Sequence, residues 1–386
     1  MKYVPVASEF MSEEEISIIC EKNREKLLAK GYEQIHVSEK SSYDEIAYFI
    51  ITGGTEQQVM QYLLGKNEDS EVVLIAYSDN NSLAASLEIV ARLNQLGRKG
   101  RIDLLDHDHF LVAESTISNL DIDLKGARIG VIGAPSDWLV ASSYSKEVVK
   151  NNCNAELIEI PMDEFFDSFI ENDESTEIMA NDLTSKAKSI IEPTDEDFDK
   201  NVKVYFALRN LVGKYNLEAL TIRCFDIVKA FKATGCFALS KLNDEGVIAG
   251  CEGDITAILG MLESYKRTKK IPWMANPSRL DPENNIIELA HCTVPRTLVQ
   301  SYTLRSHFET NLGVGIQGAF PIGKKVRLFR IGGKNLKQLW QANGEIIKIG
   351  NSEKLCRTQI FVKLEDKKIN ELLYTPLGNH LVVEML

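Results

Sequence analysis

The segment GVIAGCEGDITAIL (residues 246–259) places two carboxylates around a glycine, between two apolar runs. Glu252 and Asp254 therefore lie where a predicted strand passes into a predicted helix, and ligand sites of α/β sheets form at that edge. A carboxylate there can bind a cation or carry a proton. The ordinary alternative for Glu252 is a first-turn residue favoured by the helix dipole. We expect Asp254 to cap the helix or support the turn.

Three more polar residues occur where a short apolar run meets a turn. They are Asn276 in PWMANPSRLD, His291 at the end of NIIELAH and His380 in PLGNHLVVEML. Carboxylate and imidazole ligands together suit a divalent cation such as Mn²⁺. The intervals are long, since 39 residues separate Glu252 from His291 and 89 separate His291 from His380. The alternative for both histidines is a hydrogen-bonded residue at a strand end.

Two other groups carry weaker signals. DHDHF (106–110) resembles a metal clip, but such alternation after a strand is typical of a solvated turn. For His307, in LRSHFETNLG, we expect a loop or packing role.

The first third of the chain alternates strand and helix patterns. The predicted strands are EIAYFIIT (45–52), EVVLIAYS (71–78) and GRIDLLD (100–106). Thr55 is a plausible N-cap of the first intervening helix, and Gly97 closes the second. Strand–helix–strand succession at this pitch predicts an open, largely parallel sheet. We assign it to an N-terminal α/β domain, residues 1–123.

A second α/β unit begins near residue 124. Ile129–Ile132 reads as a strand, and Ser136-Asp137 is a candidate cap for a following helix. The glycines there fall short of a GxGxxG fingerprint, so no dinucleotide is assigned, although such a turn can bind a small polar ligand. Thr194 and Asp197 have the spacing of a capping box. We place the central domain at 124–275.

After residue 275 the pattern changes to short β-type runs separated by Gly, Asn and Lys turns. These runs predict a small antiparallel barrel or sandwich over 276–386. The predicted fold class is α/β, with two open parallel-sheet domains followed by a smaller, barrel-like β-rich domain.

Composition excludes several classes of partner. The 386 residues carry a formal charge of −12, which disfavours a nucleic-acid surface. No apolar stretch approaches the roughly 20 residues of a membrane span, so no membrane partner is expected. The seven cysteines, odd in number and partly inside apolar runs, read as reduced core residues. We expect a cytoplasmic protein.

The segments GCEGDITAIL, MANPSRLDPENNIIELAHCTVP and GNHLVVEML resemble the L-fucose isomerase and L-arabinose isomerase family of aldose–ketose isomerases. The likeness extends to NNSLAASLEIVARL and LEALTIRCF. It implies two α/β domains, one β-rich domain, a site near their junction, a small sugar substrate and a homo-oligomer (trimer or hexamer).

The resemblance also implies a site. In the family a divalent metal, commonly Mn²⁺, is held by the glutamate of the Glu-Gly-Asp segment, a second acid and a late histidine. These positions fall here on Glu252, Asn276 and His380, and an additional histidine falls on His291. Asn276 is a departure, because an amide cannot shuttle a proton. The predicted catalytic residues are Glu252 and Asn276, and the predicted metal ligands are Glu252, Asn276, His291 and His380. The predicted substrate-binding residues are Asn379, Ser136 and Trp138.

Three functions remain open at this point. The first is a metal-dependent isomerase of a pentose or 6-deoxyhexose that works through an enediol intermediate. The second is a non-catalytic or regulatory sugar-binding relative, suggested by Asn276 and the short chain. The third is another reaction of a carbohydrate in the same pocket, such as epimerisation.

Overall fold

A computed structural model describes residues 1–9, 11–43, 45–107, 117–169 and 174–386. The fold class agrees with the prediction, because two parallel sheets precede a closed antiparallel barrel. None of the helices within these ranges combines the length and apolarity that crossing a bilayer requires.

The first unit is a five-stranded parallel sheet in the order β2-β1-β3-β4-β5. Its elements are β1 (Lys2–Val6), α1 (Glu13–Ala29), β2 (Glu33–Gln34), a 3₁₀ turn (Val37–Ser42), β3 (Ile46–Ile50), α2 (Glu56–Tyr62), β4 (Val72–Ala76), α3 (Ser82–Gln95) and β5 (Gly100–Leu104). Every residue of β3 and β4 is buried, as expected for strands covered by helices on both faces. Gly97, at φ +74°, follows α3 as predicted.

Thr55 occupies the N-cap position of α2, but its side chain does not cap the helix. Its hydroxyl donates instead to the carbonyl of Thr52, at 3.0 Å. The predicted position is therefore confirmed, and the capping bond is not made.

The second unit contains a four-stranded parallel sheet in the order β11-β10-β7-β8. After the short β6 (Ser118–Asn119), its elements are β7 (Arg128–Ile132), α4 (Lys146–Cys153), β8 (Glu156–Ile160), α5 (Met162–Asp167), α6 (Glu174–Ser185), β9 (Ser189–Ile190), α7 (Asp195–Tyr215), β10 (Ala219–Ile222), α8 (Cys224–Phe231), α9 (Cys236–Asp244), β11 (Ile248–Gly250) and α10 (Ile255–Thr268). The capping box of Thr194 and Asp197 is present at the start of α7.

The prediction that Ser136-Asp137 caps the next helix is wrong. That helix, α4, begins at Lys146, and its cap is Ser145, whose hydroxyl accepts from the N–H of Val148. Residues near Ser136 form turns instead, because the backbone N–H of Ser136 donates to the carbonyl of Glu252 at 2.9 Å.

The barrel closes through six antiparallel strands in the order β16-β19-β12-β13-β18-β17, with β17 pairing back to β16. Its elements are β12 (Trp273–Asp281), β13 (Ile286–His291), β16 (Lys325–Gly332), β17 (Gln338–Ile349), β18 (Thr358–Leu364), α11 (Ile369–Tyr374) and β19 (Leu381–Met385). A 3₁₀ turn (Arg296–Leu298) and the strands β14 (Ser301–Arg305) and β15 (Gly315–Ala319) lie between β13 and β16. β14 pairs with β15 and with β9.

Candidate active site

The Glu-Gly-Asp turn follows β11 in a left-handed backbone conformation. Glu252 has φ +62° and Gly253 has φ +75°. A Cβ atom on Gly253 would lie 2.6 Å from both the carbonyl oxygen of Ala134 and the Cα of Pro135. Glycine is therefore required between the two carboxylates, because the turn after β11 packs directly on the turn after β7. Glu252 itself adopts a conformation that L-residues rarely take, which is typical of functional sites.

Asp254 is the N-cap of α10, as predicted. Its Oδ1 accepts from the N–H of Ala257 at 2.7 Å and from the hydroxyl of Thr256 at 2.8 Å. Its Oδ2 accepts from Nη1 of Arg330 at 3.0 Å, and both side chains are fully buried. Burial opposes ionisation of Asp254, but the Arg330 charge, His380 and the N–H of Ala257 together outweigh it and hold the pKa of the carboxyl far below its usual range. The carboxylate of Asp254 is therefore occupied by structural contacts with α10 and Arg330.

His380 lies between the two acids of this turn. Its Nδ1 is 2.9 Å from Oδ2 of Asp254, and its Nε2 is 3.6 Å from Oε1 of Glu252. Burial lowers the pKa of this imidazole, but the two carboxylates outweigh burial and raise it to about 9. Nε2 is buried and makes no hydrogen bond. The ring therefore keeps one nitrogen available toward Glu252.

His291 ends β13 and faces His380, with ring centroids 5.4 Å apart. Its Nδ1 lies 2.9 Å from the hydroxyl of Thr293. Burial, followed by the charge of His380, lowers the pKa of His291 to about 4. The two imidazoles are therefore held in opposite protonation states at neutral pH.

Glu252, His291 and His380 fit a metal ion. One ligand atom from each lies within 4.8 Å of the other two, and no other such cluster of three occurs among the described residues. Ligand bonds of about 2 Å would separate such atoms by at most about 4 Å, so a small adjustment suffices. The unpartnered Nε2 of His380 is the kind of buried atom that a cation would satisfy.

Asn276 lies on β12 at the same end of the barrel. It pairs with Ala290, the neighbour of His291, and the preceding Ala275 pairs with Leu381, the neighbour of His380. Its side chain is buried, and its Oδ1 has no hydrogen-bond partner. Asp281, the acid at the far end of the same strand, is five residues further along, about 16 Å away, too far to replace the missing carboxylate.

The three predicted substrate-binding residues contact the acidic turn or its neighbour. Nε1 of Trp138 donates to Oε2 of Glu252 at 2.7 Å. The hydroxyl of Ser136 is buried without a partner, beside the carbonyl of Glu252 that its backbone N–H binds. Asn379 is buried, and its Oδ1 accepts from the N–H of His380 at 2.8 Å. Asn379 thus positions the histidine.

Glu252 is ionised at neutral pH. Burial raises the pKa of its carboxyl, but the nearby charge of His380 and the hydrogen bond from Trp138 help to bring it below the ordinary value. A carboxylate held by one oxygen on Trp138 and open at the other can accept a proton.

A narrow pocket of about 30 Å³ opens beside Glu252 and His291. Its wall combines five thiols with aromatic and polar side chains: Asn81, Cys224, Phe225, Val228, Thr234, Gly235, Cys236, Cys251, Glu252, His291, Cys292, His307, Phe308, Glu309 and Cys356. His307 packs edge-on against Phe225, with ring centroids 5.8 Å apart, which agrees with a packing role. All seven cysteines are free and buried, as predicted.

Sequence analysis missed two buried acids near the site. Glu88 on α3 accepts from the hydroxyl of Ser142 at 2.8 Å and from the N–H of Asn379 at 3.0 Å. Glu56 begins α2, and its Oε2 is buried without a partner. Burial raises the pKa of both carboxyls. The sequence could have identified Glu56 as a candidate, because it follows the Gly53-Gly54 turn at a strand end. Glu88 could not be identified in this way, because it lies inside an amphipathic helix pattern.

Arg330 was also missed, although an arginine placed between the apolar Phe329 and Ile331 of β16 was a usable signal. The candidate clip at 106–110 is only partly described, because residues 108–110 lie outside the described ranges. Its Asp106 pairs with Lys26 at 2.5 Å and accepts from the hydroxyl of Ser78 at 3.0 Å.

Comparison with known proteins gives partial matches. No protein-family model matches the chain. It is 30% identical over 132 residues to a sulfoquinovose isomerase of Alkalicoccus urumqiensis, covering 33% of this chain and 30% of that protein. It is 23% identical over 171 residues to sulfoquinovose isomerases of Priestia aryabhattai and Priestia megaterium, covering 44% of this chain and 38% of each relative.

The matched region thus spans about a third of the length of these relatives. All three are isomerases of a sugar. The matches support the coarser part of the sequence-based prediction: over the matched residues the chain is similar to sugar isomerases.

Proposed function

We propose that this chain interconverts the aldose and ketose forms of a small sugar, a pentose or 6-deoxyhexose, through an enediol intermediate. One observation carries the proposal. Glu252, His291 and His380, from three distant segments, bring ligand atoms within 4.8 Å of one another. Glu252 and His291 also line the pocket. The names of the related proteins support the same class of reaction.

Glu252, His291, His380 and Asn276 would hold a divalent cation such as Mn²⁺. When bound, the cation polarises the sugar carbonyl and stabilises negative charge on the neighbouring oxygens. Asn276 supplies a neutral oxygen where a carboxylate would add a charge, which weakens the attraction for the cation. His380 has to lose its proton to serve as a ligand.

Glu252 is the proton carrier of the proposal. The reaction removes a proton from one carbon of the sugar and returns a proton to the adjacent carbon. Because these carbons are directly bonded, one carboxylate on one face can do both, and the hydroxyl proton exchanges with solvent. Trp138 fixes Oε2 of Glu252, so Oε1 is the oxygen left for this task. A single carboxylate also removes the need for an acid at Asn276.

The test is proton exchange at the C2 position of the sugar. Purified protein is mixed with Mn²⁺, Co²⁺ or Mg²⁺ in D₂O, together with L-fucose, L-arabinose or sulfoquinovose, and deuterium incorporation is followed by NMR. Metal-dependent exchange and ketose formation are expected with at least one neutral sugar. Glu252→Gln should abolish both while its circular dichroism spectrum stays that of the wild type. Full activity in that variant would remove Glu252 from its role.

The second candidate is a sugar-binding relative without turnover, and the amide at Asn276 favours it. This candidate predicts saturable sugar binding by calorimetry with no exchange at C2 for any metal. The same NMR experiment therefore separates the two functions.

The proposal includes two properties that follow from the resemblance and the composition. One is a homo-oligomer, a trimer or hexamer, which light scattering of purified protein tests. The other is a cytoplasmic location, which fractionation of cells that express the protein tests.

A further inference from the structure

Five of the seven cysteines line the pocket beside Glu252, and Cys224 and Cys251 among them are in direct contact through their sulfur atoms. The Sγ atoms of Cys224 and Cys251 are 3.2 Å apart. Cys224 begins α8 directly after β10, and Cys251 directly follows β11. β10 and β11 are adjacent parallel strands, so both thiols leave the same edge of the sheet.

From this arrangement we infer that Cys224 and Cys251 form a redox-active dithiol, whose oxidation to a disulfide displaces Glu252. The expected loss of turnover on displacement of Glu252 rests on the proposed isomerase activity. Disulfide formation itself does not depend on it.

The pair is placed for attack on a small oxidant. Both sulfurs line the pocket, with residue exposures of 8% for Cys224 and 5% for Cys251, so a peroxide can approach from the pocket. Cys224 is the first residue of an eight-residue helix, and a helix N-terminus stabilises negative charge. Cys224 is therefore the attacking sulfur.

The step balances with hydrogen peroxide as the oxidant. The Cys224 thiolate attacks one peroxide oxygen, the O–O bond breaks, and a sulfenic acid and hydroxide form. The Cys251 sulfur then attacks the sulfenic sulfur, an S–S bond forms and the hydroxyl leaves. In total, two thiols and one peroxide give one disulfide and two waters.

The disulfide would act on the catalytic turn. An S–S bond of about 2.05 Å shortens the present separation by about 1 Å. Cys251 immediately precedes Glu252. Its N–H points to the thioether of Met274 at 3.2 Å, and its carbonyl accepts from the hydroxyl of Thr221 at 3.2 Å and from the N–H of Asp254 at 3.1 Å. Because Cys251 is bonded directly to Glu252, a pull on its sulfur would be passed to the catalytic carboxylate, and misplacement by about 1 Å can cost about a hundredfold in rate.

The experiment treats full-length protein with hydrogen peroxide, blocks the remaining thiols in denaturant and maps the peptides by mass spectrometry. We expect one cross-linked peptide pair, joining Cys224 to Cys251, and a loss of two hydrogen masses. Isomerase turnover should fall by about a hundredfold and return with dithiothreitol. Cys224→Ser should keep, after peroxide, the turnover it has before treatment. Cys153→Ser, which removes a remote buried thiol of α4, should behave as wild type.

A readout independent of turnover is the fluorescence of Trp138, which is hydrogen-bonded to Glu252. Peroxide should change the intrinsic fluorescence in wild type but not in Trp138→Phe. The inference is overturned if no Cys224–Cys251 peptide forms, if the cross-link joins Cys236, Cys292 or Cys356 instead, or if the disulfide forms without altering fluorescence and turnover. Absence of isomerase activity in the reduced protein would refute the proposed function, while peptide and fluorescence data still decide the dithiol.

Discussion

Nδ1 of His380 lies 2.9 Å from Oδ2 of Asp254, a residue 126 positions away. Arg330 binds the same carboxylate and also donates to the carbonyl of His380 at 2.9 Å. The acid and the arginine together fix the orientation of the imidazole and leave Nε2 as the nitrogen that can bind. This is the arrangement by which carboxylates position metal-binding histidines in proteins.

The two imidazoles predict a stability maximum near pH 6.5 in metal-free protein. The pKa of His380 is raised from 6.5 to about 9, so its contribution is complete below pH 6.5 and is lost as the pH rises through 9. The pKa of His291 is lowered from 6.5 to about 4, so stability is lost as the pH falls from 6.5 to 4. Each shift corresponds to roughly 3 kcal/mol.

Urea denaturation at pH 4 to 9 with a chelator present measures this dependence. His380→Gln should flatten the alkaline limb, and His291→Gln should flatten the acidic limb. A free energy of unfolding that rises between pH 7 and 9 would contradict the assignment for His380.

Metal affinity should increase with pH. Because His380 is protonated up to about pH 9, a cation must displace its proton, and affinity should rise about tenfold per pH unit between pH 7 and 9. Calorimetry with Mn²⁺ in two buffers of different ionisation enthalpy should show release of close to one proton at pH 7.5. His380→Gln should bind more weakly and release none; equal proton release in that variant would place the proton elsewhere.

Trp138→Phe should reduce turnover with little loss of stability. The substitution keeps an aromatic ring against Phe225 but removes the N–H that holds Oε2 of Glu252. A hydrogen bond to a charged group contributes about 1.5–3 kcal/mol, so kcat should fall about 10- to 100-fold. The acidic limb of the pH–rate profile should also shift to higher pH, because loss of the Trp138 hydrogen bond raises the pKa of Glu252. An unchanged profile would show that Trp138 serves packing alone.

Gly253→Ala and Gly126→Ala form a matched pair. Both glycines have positive φ, +75° and +81°, but a Cβ on Gly126 meets nothing within 4 Å, whereas one on Gly253 collides with Ala134 and Pro135. Gly126→Ala should cost about 1–2 kcal/mol of unfolding free energy, the cost of the left-handed conformation alone. Gly253→Ala should cost at least about 1 kcal/mol more and impair turnover. Equal costs in thermal or urea unfolding would mean that the two turns are not tightly packed.

Local patterns predicted the elements well. Alternating apolar runs and capping residues indicated both parallel sheets, and the dense short strands after residue 275 indicated the barrel. Glu252, His291 and His380 were identifiable because each lies where an element ends, and ends of strands meet at a common edge. The cap at Ser136 failed because no helix begins there: the next helix starts at Lys146, and the segment at Ser136 is bound instead to the carbonyl of Glu252, which is distant in sequence.

The pairing of strands and side chains that are distant in sequence could not be predicted from the sequence. Closure of the barrel depends on the register between β16 and β17, and the contact of Arg330 with Asp254 depends on that closure. A single sequence shows the alternation of apolar and polar residues that predicts each strand, but it does not show which other strand pairs with it. Glu88 was hidden for the same reason, since its partners Ser142 and Asn379 lie in other segments.

The bond between Glu88 and Asn379 spans 291 residues. Contacts of such sequence separation require closure of a long loop before any stabilisation is gained, so they form slowly during folding. In refolding experiments, helical circular dichroism should therefore recover before metal binding does. The site is assembled late, as a product of tertiary closure, and local stabilisation of any one segment would not accelerate it.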